Sequence, residues 1–325
     1  MALPTRRHAL AGAAIALLST RSHASIWPDD DTITWIVPFP TGGPTDTFAR
    51  PIAQRVSEII GQMIVIDNRG GAGGTVATAQ AARATPDGYT FLVGLTSLGY
   101  APVIYPQAKY DLVRDFAPIS ALARTQSSLI VNPSRLDVKT VEEFVEYARQ
   151  SPGKIDIASP GFGTQPHLAI EMLEKRAGIK LHHIPYRGGG PALRDLLYGH
   201  VAAAFQSSSR LIDYIRSGEL RALAVAGRRR EPLLPEIPTM EEAGFRDFRV
   251  VSWFGVFAPR RTHETILNRM HGAIQEALAD PEVKKLWREQ GARVEPESRS
   301  DFARFVSADT ERWRRIAEEA SIQIE

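Results

Sequence analysis

Apolar residues along this chain alternate between two rhythms. Thr32-Ile33-Thr34-Trp35-Ile36-Val37 is a compact apolar run closed by Pro38, which reads as a buried strand. After the turn-rich PFPTGGPTD, apolar positions recur at Phe48, Ile52, Val56 and Ile59-Ile60, the spacing of one helical face. The succession returns with a strand over 63–66, the loop DNRGGAGG and an Ala-rich helix over 75–84. It returns again with a strand over 89–94 behind the turn Pro86-Asp87-Gly88. Such alternation favours parallel strands covered by helices on both faces, an α/β fold.

The second half keeps the pattern. Strands are predicted over 127–131, 154–158, 182–184, 202–205, 222–226 and 250–257. Helices are predicted over 141–150, 168–176 and 192–198, with glycine-bearing loops SPGFGTQPH and PYRGGGPA before the last two. From His263 the chain reads as charged helix almost to its end, with Pro281 and Gly291 as breaks.

The first residues break the rhythm. Arg6 and Arg7, an apolar run over 9–18 and the small-residue end Ser22-His23-Ala24 have the order of an export signal, with cleavage expected after Ala24. The run is about ten residues, half of the roughly 20 a spanning helix needs. Thr5-Arg6-Arg7 also suits the twin-arginine route, although Ala9 stands where that motif usually carries an aromatic, so the export route stays open. Removing residues 1–24 takes three arginines and no acid, moving the formal charge from +2 to −1. The remaining basic residues are mixed with acids, which gives no footing for nucleic acid. The chain has no cysteine, so an exported form rests on packing alone. About 300 remaining residues exceed the size at which one core keeps growing, and two lobes are expected.

Three glycine loops lie between a predicted strand and the helix after it: residues 38–46, 161–167 and 186–191. In open α/β sheets ligands bind there, where helix N-termini present unpaired N–H groups and partial positive charge. Glycine lets backbone approach a ligand, and Thr41, Thr45 and Thr164 add hydroxyl donors. Together these groups suit a carboxylate. Asp46 is read either as the N-cap of the first helix or as a ligand group, and His167 either as a donor to an anion or as a ring satisfied by local backbone.

Catalytic and cofactor signatures are missing. GGAGG at 70–74 has neither a P-loop ending nor GxGxxG spacing, the serines lack a nucleophile elbow, and there is no HExxH. His182-His183 is an isolated pair, and thiol catalysis is excluded without cysteine. No catalytic residue, metal ligand or cofactor is assigned. An exported hydrolase or isomerase using an acid and His167 as proton shuttles is the rival reading, and a sensor subunit for a signalling partner is another.

IVPFPTGGPTDTFAR and VIDNRGGAGGTVATAQAARATPDGYTFLVG are similar to the N-terminal lobe of the Bug or TctC-type solute receptors, the extracytoplasmic binding proteins of tripartite tricarboxylate transporters. The resemblance continues through SPGFGTQPHLAIEML, HIPYRGGGPALRDLLYGHV, GELRALAVAGRRR, LPEIPTMEEAGF and SWFGVFAP. It implies a type II periplasmic binding protein fold, two α/β lobes with a cleft between them. It also implies a monomeric periplasmic receptor that passes a small organic carboxylate to the transporter's membrane subunits. Carried over residue by residue, one pincer on the ligand is 39–46, with Phe39, Thr41, Gly42, Gly43, Thr45 and Asp46. The other is 161–167, with Gly161, Gly163, Thr164 and His167. Ser97, Tyr186 and Gln206 complete the expected set. Crossings between lobes are expected at 124–129 and 250–253, giving one lobe of 25–124 with 251–325 and another of 125–250.

Departures from the family pattern bear on the ligand. Relatives often carry an acid where this chain has Ala202 and end that strand in Phe-Asp, where it has Gln206. Fewer acids near the cleft point away from an amino acid and towards a carboxylate without an ammonium group. Ser97-Leu98-Gly99-Tyr100 replaces the commoner Thr-His, and Tyr100 is read as suiting a ring-bearing acid or as a core or rim residue.

Overall fold

Two half-sheets share one long strand in the computed structural model, which describes residues 27–29, 31–207 and 211–322. The export segment expected over 1–24 lies outside the described residues. The chain runs β1 (Ile33–Val37), α1 (Pro44–Ile60), β2 (Ile64–Asn68), α2 (Thr75–Ala81), β3 (Thr90–Leu95), α3 (Thr96–Ile104), α4 (Leu112–Asp115) and β4 (Phe116–Val131). It continues α5 (Val141–Gln150), β5 (Asp156–Ser159), α6 (Gln165–Ala177), β6 (His182–Pro185), α7 (Gly189–Leu197), β7 (Ala203–Ser207), α8 (Ile212–Arg216) and β8 (Arg221–Val225). It ends β9 (Val251–Pro259), α9 (Glu264–Ala279), α10 (Pro281–Glu289) and α11 (Arg299–Ala320). Strand order is β2-β1-β3-β9-β4-β7-β5-β6, with β8 also on β4.

Strand direction puts the loops of interest at one place. The first half of β4 pairs antiparallel with β9 from Phe116↔Pro259 to Gln126↔Val251, β3 is antiparallel to β9, and β1 is parallel to β3. Both β1 and β3 therefore run towards the middle of β4. From the other side β7 and β8 pair antiparallel with the second half of β4, while β5 follows β7 and β6 follows β5. These strands also end at the middle of β4, so the loops after β1, β3, β5, β6 and β7 line the seam between the half-sheets.

Burial explains why the elements form. Ile33, Trp35 and Val37 on one face of β1 pack with Phe48, Ile52 and Val56 of α1 and with Leu267 and Ile274 of α9. Ile36 faces the other way, into a cluster with Leu92, Trp253 and Phe302 of α11. Each such side chain, fully buried, contributes roughly 1.5–3 kcal/mol. In the second half Leu129, Phe144, Leu168 and Phe205 share a cluster with Tyr100 of α3 and Trp313 of α11. The C-terminal helix thus packs on both halves.

The structure corrects several sequence expectations. The sheet is mixed rather than all parallel, because β9 and β4 return against their neighbours. Strand β4 spans 16 residues, not the five expected over 127–131. Its first part is irregular: the pairing shifts register between Pro118 and Ser120 and again between Ala121 and Ala123. Helix α3 was not expected; it is apolar on most sides and carries Gly99 and Pro102. Helices α6 and α7 begin earlier than expected, at Gln165 and Gly189, so part of each glycine loop is helix.

Candidate functional site

The loops after β1 and β5 are built on the same plan. Gly43 is the N-cap of α1 and Thr164 the N-cap of α6, both with extended backbone, and each helix has proline in its first turn. The first helical bonds are Thr47 N–H to the Gly43 carbonyl at 2.9 Å and Leu168 N–H to the Thr164 carbonyl at 3.0 Å. The N–H groups of Thr45, Asp46, Gln165 and His167 therefore lie outside the helical ladders and point from the helix ends into the seam. Two such ends concentrate partial positive charge there.

Asp46 and His167 hold these loops from equivalent positions. The Gly42 N–H donates to Asp46 Oδ2 at 2.9 Å, and the Gly163 N–H donates to His167 Nδ1 at 3.0 Å. Each side chain, third in its helix, reaches back to the glycine before the cap, as the acid of a capping box does. This corrects the N-cap reading of Asp46: Gly43 caps α1. Asp46 is 3% exposed and His167 3% exposed, so both are walls of their loops. Gly42 at φ 79 and Gly161 at φ 146 occupy backbone that a side chain would strain.

The rest of each loop is tied down by a few side chains. Asn68, at the end of β2, donates to Asp46 Oδ1 at 3.0 Å and to the Phe39 carbonyl at 3.1 Å, and accepts from the Thr41 hydroxyl at 3.0 Å. Arg50 bridges Asp46 and Asn68 at 2.8 and 2.7 Å. Burial alone raises the Asp46 pKa, but the Arg50, Gly42 and Asn68 hydrogen bonds outweigh it and hold the carboxyl below its ordinary value. In the second loop the Thr164 hydroxyl donates to the Gly161 carbonyl at 2.7 Å. The Thr41 hydroxyl thus donates across to β2, and the Thr164 hydroxyl within its own loop. Thr45 is 2% exposed on the first turn of α1.

Behind the second loop His183, read from sequence only as part of the pair His182-His183, stacks on His167. His167 and His183 lie face to face at 4.0 Å, with the exposed Phe162 ring edge-on to both. His183 Nε2 is 2.6 Å from Ser159 Oγ, and His167 Nε2 is 3.5 Å from Glu171. Burial first, then the neighbouring His167, lowers the His183 pKa to about 4. Both nitrogens of His167 face protein groups, Nδ1 the Gly163 N–H and Nε2 the Glu171 carboxylate.

Strand β9 ties further residues to the seam. Gln165 donates to the Val251 carbonyl at 3.0 Å and accepts from the Ser252 hydroxyl, and Trp253 N–H donates to Thr96 Oγ1 at 2.9 Å. Ser97 follows Thr96 in the first turn of α3, half-buried. Gln206 donates to the Gly189 carbonyl at 3.4 Å, while Tyr186 turns its hydroxyl away to Asp195 at 2.8 Å. Tyr100 is 1% exposed and packs tilted against Trp313 at 6.0 Å between ring centroids, as a core residue. Asn68, Thr96, Gln165 and Ser252 escaped sequence reading, because their roles depend on strands far apart in the chain. The placement of Asn68 beside Val37 follows only from the β1–β2 register.

Among the described residues no group of three or more His, Cys, Asp or Glu could hold a metal, and no helix is long and apolar enough to cross a membrane.

The family model for TctC, the tripartite tricarboxylate transporter family receptor, matches residues 48–322. A protein encoded in the tcbD-tcbE intergenic region of Pseudomonas sp. (strain P51) is 38% identical over 314 residues, 96% of this chain and 93% of the relative. Among solved structures, R. palustris Rpa4515 with adipate is 35% identical at a TM-score of 0.80, covering 92% of this chain and 100% of that one. MatC from Rhodopseudomonas palustris with bound malate is 33% identical at a TM-score of 0.76, covering 88% and 98%. These likenesses correspond to the two-lobe periplasmic binding fold expected from the sequence.

Proposed function

Because the chain belongs to the TctC family of tripartite tricarboxylate transporter receptors, we propose that it captures a small organic carboxylate between two pincers, residues 39–46 and 161–167, and delivers it to the membrane subunits of such a transporter. The observation that carries this reading is the matched construction of the two loops. Each ends a strand at the seam, each presents first-turn N–H groups, and each is shaped by a side chain that caps backward. Two such ends facing one seam suit one anionic group shared between lobes.

The lobes of this reading are 25–124 with 251–325, and 125–250, with the crossings at β4 and the start of β9. The working unit is a monomer exported through the signal over 1–24. Phe39, Ser97, Tyr186 and Gln206 line the cleft walls and choose among acids. The absence of a carboxylate at Ala202 and Gln206 disfavours an ammonium group on the ligand. Ligand-bound relatives hold malate and adipate, which makes aliphatic dicarboxylates the first acids to try.

A thermal-shift screen of the purified mature chain tests the proposal. Malate, adipate, aromatic acids, sugars and cations are compared at equal concentration. An acid at 100-fold its Kd adds about 2.7 kcal/mol to apparent stability, which is several degrees of melting temperature. Stabilisation by sugars or cations, with none by any acid, overturns the carboxylate reading.

A further inference from the structure

A cavity of about 1020 Å³ opens at the end of α6 remote from the pincers, walled by α5, α6, residues 247–249 and the last turns of α11. Helix α6 has 13 residues, so its two ends lie roughly 20 Å apart. Its lining lies outside the loops of the proposed cleft, which it approaches through Glu171, 3.5 Å from His167 Nε2. Seven of its lining side chains are arginine or lysine and four are carboxylates.

Several of the cations are held by carbonyls and aromatic rings as well as by carboxylates. Arg312 donates to the Arg249 carbonyl at 2.7 Å and lies over the Trp313 ring at 4.7 Å, with its Nε 3.6 Å from Asp309. Arg176 donates to the Arg246 carbonyl and lies 5.6 Å from the Phe248 centroid. Carbonyls and rings orient these guanidinium groups, Asp309 offsets part of the charge of Arg312, and Arg176 faces no carboxylate in an ion pair among the described residues. The Arg249 Nε is buried and has no hydrogen-bond partner. Arg315 and Lys180, both exposed at the mouth, make no ion pair among the described residues. Lys175 is matched by Glu319 at 2.8 Å and Arg249 by Asp247 at 2.9 Å.

A solvated helix face is the plainer reading of so many cations. It does not account for an orphaned guanidinium N–H, nor for three guanidiniums gathered from α6, the 246–249 segment and α11. Arg312 gives up its proton more readily than an ordinary arginine, through burial first and then through the charges of Arg249 and Arg176, opposed by Asp309. Those three charges share one field, and an anion between them relieves it.

We propose that this cavity is a second anion site, taking a small polyvalent oxyanion of the pyrophosphate class on Arg176, Arg249 and Arg312, with Arg315 and Lys180 at its mouth. Planar guanidinium forks match the paired oxygens of such an ion, and the lining's surplus of cations, three before the Asp309 carboxylate beside Arg312 is counted, favours a polyvalent charge. A monovalent acid lacks the charge to satisfy the site.

Calorimetric titration of pyrophosphate into the mature chain at low ionic strength tests the proposal. The wild type is expected to bind saturably, more weakly as sodium chloride is added, and acetate is expected not to compete. Arg176→Gln with Arg315→Gln changes two exposed side chains and is expected to weaken pyrophosphate at least tenfold at an unchanged melting temperature. Lys180→Gln is a second variant should the pair lower the melting temperature. The thermal shift produced by a cleft acid is expected to be the same in wild type and variants, so failure here is distinct from failure of the cleft reading. Saturable pyrophosphate binding of equal affinity in wild type and variants places the ion elsewhere and overturns the proposal, as does a wild type that binds none.

Discussion

Asp46 and His167 occupy the same helix position, yet the first is an ionised group with three donors around it and the second a ring with one. Replacing Asp46 by asparagine sets an amide against the Gly42 N–H, the Asn68 amide or Arg50, whichever way it turns. Loss of a charged acceptor from a buried network costs about 1–3 kcal/mol. Asp46→Asn is therefore expected to lower stability by that amount in urea titration and to weaken ligand binding through a loosened first loop. Unchanged stability assigns the loop's order to Asn68 and the glycines instead. His183 carries a pH signature of its own. Its pKa falls from 6.5 to about 4 on folding, so between those values the unfolded chain takes up a proton that the native chain refuses. Stability is full above pH 6.5 and declines as pH falls towards 4, by about 2 kcal/mol after allowance for solvent screening at a partly exposed ring. His183→Gln keeps a partner for Ser159 and is expected to flatten that part of the stability profile; an acid slope equal to wild type rejects the assignment. Both residues stood out in part from sequence. Glycine loops before amphipathic helices placed Asp46 and His167 at strand ends, but which atom they face depends on where the helix starts. A start at Gly43 instead of Asp46 turns a cap into a backward reach.

At the scale of elements, the strands and helices with one buried face were legible and those without a clear face were not. Helix α1 shows its stripe at Phe48, Ile52 and Val56, and all three are buried. Strand β4 lacks such a signal. FAPISALARTQ carries Pro118, which removes an N–H from the ladder, and two register shifts break the alternation that would have marked it. Helix α3 is buried around most of its surface, so it shows no polar face to set a helical period. The same crowding makes β9 sensitive to small additions. A Cβ at Gly255 would overlap the Phe302 ring and come to 3.0 Å of the Ser120 carbonyl. Phe302 is fully buried, packed against Trp253 and Phe257. Gly255→Ala is expected to cost about 1–3 kcal/mol, the range for overpacking a core, and chemical denaturation reads it directly. A variant as stable as wild type shows that α11 slides on the sheet more easily than its packing implies.

The whole molecule sets how the two pincers meet. Two strands cross between the half-sheets, β4 through Arg124–Gln126 and β9 through Val251–Trp253, and they pair with each other along the crossing. Gln165 ties the start of α6 to this pair through Val251 and Ser252. In the proposed reading the second pincer is therefore attached to the strands that join the lobes, whereas the first stands on β1, two strands from β9. If both grip one ligand, differential affinity for the closed arrangement draws the lobes together, and an acid with equal affinity for open and closed forms moves nothing. A stabilising acid from the thermal screen is accordingly expected to reduce the radius of gyration in small-angle scattering. The Gln165→Ala variant is expected to bind that acid several-fold more weakly, with a smaller reduction at equal occupancy, because its second pincer is free of the crossing strands. The comparison separates two arrangements that share the same contacts. An acid that binds without any change in radius is held by one lobe or by a preformed cleft, and then the matched helix ends serve affinity alone. A change in radius that survives Gln165→Ala at full size places the hinge in β4 and β9 by themselves, with Gln165 only a satisfied buried amide.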